Sequence, residues 1–145
     1  MQPQNTFHES PKVFSELTSE HVTAGINWFS KMNDSARWNL SNAEASELLG
    51  GIGVSKYLSL KRKAAENLPL KVSQDLCERI SLLLGIWESL QNIAPVDRKD
   101  LAYQWFNQPS TSQVLEGKSI KQYLLDCQSM EALYVVNRHL KSLSI

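Results

Sequence analysis

Apolar residues recur every three or four positions through most of this chain, and no segment sustains the alternation of a strand. That period predicts helices throughout, an all-α fold. Val22, Ile26 and Phe29, with Trp28 beside them, predict a first helix over 19–32, capped by Ser19 and ended by Asn33-Asp34-Ser35. Ser41 or Asn42 opens a second helix with Glu44 in its first turn. Gly50-Gly51 closes it, because glycine takes the left-handed backbone of a helix end without steric cost. Ser55 is the expected cap of a third helix, KYLSLKRKAAEN, so two short helices meet across a glycine-containing turn as in a helix-turn-helix.

Beyond the extended link 68–72, where Pro69 stops the third helix, Ser73 caps the clearest helix of the chain. Asp75 sits in its first turn, and Leu76, Ile80, Leu83, Leu84, Trp87, Leu90 and Ile93 form its buried stripe up to Pro95. A shorter helix, 97–107, turns Leu101, Trp105 and Phe106 inward, and a Gly/Pro/Ser/Thr loop covers 108–118. Two further helices, 119–127 and 129–143, carry Ile120, Leu124 and Leu125, then Leu133, Val136, Leu140 and Leu143. Residues 1–16, polar and broken by Pro3 and Pro11, read as an arm that Phe7, Val13 and Phe14 can dock on the body. The chain thus divides into arm 1–16, helix-turn-helix region 17–67 and C-terminal domain 68–145, with helix 73–94 shared between their cores.

Composition narrows the function by exclusion. The 145 residues, 42% hydrophobic and 21% charged, are ordinary for a globular protein, and 15 basic residues balance 15 acidic ones. A nucleic-acid footprint must therefore come from local clustering. Cys77 and Cys127 are isolated, which argues against a metal site and predicts that both pack as small apolar residues. The polar N-terminus lacks a signal-peptide core, and no apolar run approaches the ~18 residues of a membrane span. The expectation is a cytoplasmic protein with no membrane contact, cofactor or metal. His8, His21 and His139 are scattered, and no nucleophile triad, Walker loop or HExxH appears, so no catalytic residues and no enzyme are expected. Gly50-Gly51-Ile52-Gly53 lacks the GK[ST] ending of a phosphate loop and reads as a turn.

One local cluster stands out. Residues 54–66 hold Lys56, Lys61, Arg62 and Lys63 against the single Glu66. Consecutive residues fan by ~100° around a helix, so Lys61, Arg62 and Lys63 cannot all face one groove. Lys56 and Lys63 share a face with Ser59, next to Arg62; such a face suits a major groove, with lysines on phosphates and Ser59, Arg62 or Tyr57 near base edges. An ordinary solvated basic face is the competing reading. Trp87, Trp105 and Phe106 read as core or subunit-interface anchors, and a leftover apolar face would be covered in a homodimer.

The stretch LLGGIGVSKYLSLKRK (48–63), followed by LPLKVSQDLCERISLLLGIWESLQNIAP (68–95), resembles the Xre/MbcA/ParS family of antitoxins. Trp105, Asn107 and Pro109, the turn Gly117-Lys118-Ser119, then Tyr123-Leu124-Leu125 and Val136-Asn137-Arg138-His139-Leu140 continue the likeness, which covers about 41–145. Leu58, Ser59 and Leu60 depart from it, standing where Tyr, Arg and Trp are common. The resemblance implies an antitoxin of a type II toxin–antitoxin pair whose toxin is an NAD-degrading RES-domain protein. It implies neutralisation by occlusion of the toxin's active site with the C-terminal domain, autoregulation through operator DNA, and a homodimer. Residues implied at the DNA are Ser55, Lys56, Tyr57, Ser59, Arg62 and Lys63; at the toxin, Lys118, Arg138, Leu143, Ser144 and Ile145. Deleting 140–145 is then expected to weaken neutralisation while largely sparing the fold. The rival readings are a stand-alone helix-turn-helix regulator without a toxin and a purely structural dimeric interaction protein.

Overall fold

A computed structural model describes residues 20–143, and these are all-helical, without a strand. The arm 1–16, the Ser19 cap and the C-terminal Ser144 and Ile145 lie outside the described residues. The helices are α1 (20–32), α2 (Asn42–Leu48), α3 (Val54–Ala65), α4 (Gln74–Ile93), α5 (Leu101–Asn107), α6 (Ile120–Cys127) and α7 (Met130–Leu143). None is long and apolar enough to cross a membrane.

Local chemistry sets most boundaries. Ser41 Oγ accepts from the Glu44 N–H at 3.1 Å, and the Glu44 carboxylate accepts from the Ser41 N–H at 3.0 Å, a reciprocal capping box. Ser73 and Ser119 cap α4 and α6 through the N–H groups of Leu76 (3.1 Å) and Gln122 (3.0 Å). Helix α3 departs from expectation: it begins at Val54, with Gly53 as its cap at φ 93°, and Ser55 lies exposed inside the first turn. The left-handed backbone at Gly53 turns the chain into the helix before Ser55 is reached. Helix α5 is likewise shorter than 97–107. The side chains before it are engaged elsewhere: Lys99 Nζ bonds the Gln91 and Ala94 carbonyls at the end of α4 (2.7 and 3.0 Å), and Arg98 clasps Asp100 (3.0 and 3.1 Å).

One continuous buried cluster runs from Val22 to Leu140, so both halves share a core. Helix α4 is its spine. Leu76, Ile80, Leu83 and Leu90 are buried as the periodicity requires, and so are Cys77 and Ile86, whereas Leu84, Trp87 and Ile93 are half-buried. On α5 the innermost residues are Ala102 and Phe106, with Leu101 and Trp105 half-exposed, and on α6 Leu125 is half-buried. Cys77 packs in the core, but Cys127 is exposed because it ends α6 on the outer side; neither forms a disulfide among the described residues.

Among α2–α7 the most extensive contact is α4 on α7. At its centre Gly85 faces the buried Asn137, whose amide donates to the Leu82 and Leu133 carbonyls, each at 2.9 Å. A Cβ at position 85 would run into Asn137 Oδ1. Nearer the start of both helices the Tyr134 hydroxyl of α7 donates to Glu78 of α4. Gly85→Ala is therefore expected to destabilise the protein by about 1–2 kcal/mol, the clash outweighing alanine's ~1 kcal/mol helix preference. Ser81→Ala, at an exposed position of the same helix, should be neutral or slightly stabilising. Urea denaturation measures both; an unchanged or raised midpoint for Gly85→Ala contradicts the close approach.

Candidate functional site

Two surfaces carry the residues singled out in the sequence. The first is the outer side of α3. Its inward stripe is Tyr57, Leu60 and Ala64, packed towards α1. Around the rest of the helix Ser55, Lys56 and Arg62 are exposed and Ser59 and Lys63 are half-buried. Arg62 pairs with Glu66 at 3.5 Å, both more than half exposed, an ion pair of small energetic weight. Val54 and Leu58, 39% and 41% exposed, also lie on the open side of α3, so the face is a basic margin beside an apolar seam rather than a uniform cationic strip.

Tyr57 corrects the sequence reading. It is fully buried, its ring edge-on to Phe29 at 6.2 Å, and its hydroxyl accepts from Asn33 Nδ2. The residue holds α3 against α1 and offers nothing to a base edge. Burial pushes its phenol up to about 12, with the Asn33 hydrogen bond acting in the opposite direction. The signal was present in the sequence, since Tyr57, Leu60 and Ala64 fall at i, i+3 and i+7.

The second surface is a groove of about 420 Å³ between the last turns of α4 and α7 and the loop after α5. Leu90, Ile93, Trp105, Leu115, His139 and Leu143 line it. Leu143, 57% exposed, stands on its rim. Arg138, the neighbour of His139, is exposed and meets no carboxylate among the described residues. Lys118 is not part of the groove. Its ammonium is held by Asp126 at 2.9 Å and Glu116 at 3.4 Å, a clasp that fixes the turn leading into α6. The hydrogen bond to Asp126 raises the Lys118 pKa, and the same interaction lowers that of Asp126. Ser144 and Ile145 fall outside the described residues, and Leu140 is buried, so removing 140–145 would also cut into the core.

The sequence missed Trp38, which lies in the 33–40 loop with no helical pattern around it. Its indole stacks on Phe106 at 4.0 Å and 8° and meets Trp28 and Trp87 edge-on at 5.5 and 6.3 Å. It thereby ties α1, α4 and α5 together. No family model matches the chain, and no curated protein or solved structure matches it either.

Tyr57 gives a pH test with a definite sign. Unfolded, its phenol ionises near 10.0; folded, it keeps the proton up to about 12. Its contribution to stability is complete below pH ~10 and is lost as pH rises towards ~12, by at most about 1.4 kcal/mol per pH unit. Tyr57→Phe should cost about 1–2 kcal/mol near neutrality, because Asn33 is left without its acceptor, and should show a shallower loss above pH ~10. Urea midpoints of both proteins across this range test it; parallel profiles would contradict the burial of a proton-holding phenol.

Proposed function

We propose that this protein is the antitoxin of a type II toxin–antitoxin pair, without chemistry of its own, that blocks an NAD-degrading RES-type toxin and binds its operator DNA. The observation that carries the toxin half is the open groove at the α4–α7 end. A half-exposed Trp105 and an exposed Leu143 flank it, and the unpaired Arg138 stands nearby. Aromatic and arginine anchors beside an apolar cleft are the composition that binding hot spots favour. Occlusion needs no catalytic group: a well-packed partner at the mouth of an active site excludes the small-molecule substrate. The sequence likeness over 41–145 is what suggests the partner class and a homodimeric assembly.

The DNA half rests on Ser55, Lys56, Ser59, Arg62 and Lys63 around α3, with Tyr57 removed from the interface. Lysines there would neutralise phosphates, while Ser59 and Arg62 are the side chains available to base edges.

Co-expression with the toxin encoded beside the gene tests the first half. Leu143→Asp combined with Arg138→Glu alters only exposed side chains, so thermal stability should hold while growth rescue and co-purification disappear. Undiminished rescue by the double variant would count against the groove. For DNA, Lys56→Gln/Lys63→Gln should weaken binding to the promoter duplex and lower the salt dependence of log K by about 2, ~0.9 for each phosphate no longer neutralised. A wild-type protein that shifts promoter DNA at physiological salt yet retains no toxin would instead favour a stand-alone regulator.

A further inference from the structure

A second concavity, of about 390 Å³, opens where the end of α1, the 33–40 loop and α3 converge. Its walls carry Lys31, Arg37 and Lys61, together with Ser30, Asn42 and Asp34. Lys61 reaches it because it lies four residues after Tyr57 and three before Ala64, at the α1 edge of the inward stripe of α3. It is therefore turned away from Lys56 and Lys63. Neither Lys31 nor Lys61 meets a carboxylate among the described residues. Asp34 is the one acid on the wall, and its Oδ1 accepts the Ala36 N–H at 2.7 Å. Three cations thus face a single carboxylate that is already engaged.

The site is built, not a chance gathering of surface lysines. The loop that carries Arg37 folds back on α1. The Trp38 N–H donates to the Met32 carbonyl at 2.9 Å, the Leu40 N–H to that of Asn33 at 3.2 Å, and the Arg37 N–H to that of Asp34 at 2.9 Å. Among the last carbonyls of α1, those of Phe29, Lys31 and Met32 accept the Asn33, Asp34 and Trp38 N–H groups at 3.2, 3.3 and 2.9 Å. Arg37 is pinned from both sides: Asn107 Nδ2 donates to its carbonyl at 2.9 Å, and the next residue is the stacked Trp38. Its guanidinium lies 6.0 Å from the centre of the Tyr103 ring and donates to the Lys31 carbonyl at 3.4 Å. The Ser30 hydroxyl is spent on the Asn27 carbonyl at 3.1 Å, so a held guanidinium, two ammonium groups and the Asn42 amide beside them form the donor set for a tetrahedral oxyanion.

We propose that this cleft binds a phosphate group, through Lys31, Arg37 and Lys61. The same chemistry is offered by a free phosphate and by the diester of a nucleic-acid backbone. The proposal does not depend on the antitoxin reading, because it needs neither a toxin nor the outer face of α3.

The test is titration of the 15N-labelled full chain with inorganic phosphate, at an ionic strength held constant with chloride. Backbone amides of residues 30–37 and 61 should shift saturably. Lys61→Gln and Lys31→Gln, both at exposed positions, should each weaken binding by about five- to tenfold, while the charge-matched Lys71→Gln on the 68–72 link leaves it unchanged. No saturable shift, or shifts that persist equally in Lys31→Gln and Lys61→Gln, would overturn the assignment. A second arm uses a short duplex of arbitrary sequence. If the duplex displaces phosphate from these amides and is weakened by Lys61→Gln, the natural ligand is a nucleic-acid backbone. If it leaves them untouched while phosphate binds, the cleft serves a free phosphate.

Discussion

The close crossing of α4 and α7 governs what the C-terminal half can present. Gly85 lets α7 approach until the Asn137 amide bridges the Leu82 and Leu133 carbonyls. A buried amide satisfied on both helices fixes their register as well as their distance. With α7 held there, its last turns run beside those of α4, and the loop after α5 closes the third side of the groove. Any larger residue at position 85 would push α7 outwards and spread the walls on which His139 and Leu143 stand. The groove is in that sense a consequence of one missing methyl group.

A second constraint reaches the opposite end. Trp38 carries the packing of the N-terminal helices onto α4 and α5, and the loop around it is folded by its own backbone hydrogen bonds. Lys121 adds a polar tie, donating to the Asn39 carbonyl at 2.6 Å and lying 3.7 Å from Glu44. These interactions make a single body of the two halves. A surface on α3 and a groove at the end of α7 therefore sit on one rigid frame, the arrangement a protein needs if partners at separate sites are to be held together.

The helices were legible in the sequence wherever a capping side chain met a periodic stripe. Ser41 with Glu44 and Ser73 with Asp75 each mark a helix start that the structure places within a residue. Ser55 misled because a glycine with positive φ preceded it, and backbone geometry outranked the side chain. Residues 97–100 misled because their side chains serve the end of α4 and the turn itself. Trp38 and the Gly85–Asn137 approach left no local trace, since both depend on residues far apart along the chain. Of the groove's residues, Leu143 was named only through the family resemblance and Trp105 was read as a core or subunit-interface anchor, whereas Tyr57 was placed on the wrong side of its helix by its chemistry despite its spacing. Lys118, which the resemblance implied at the toxin, is held by its own neighbours Asp126 and Glu116.

Hydrogen–deuterium exchange on the full chain, alone and mixed with the product of the neighbouring gene, addresses the central claim most directly. The account predicts new protection at residues 90–93, 105–115 and 138–143, the three walls of the groove and its flank. Protection confined to α1–α3, or a mixture that shows no change anywhere, would contradict it.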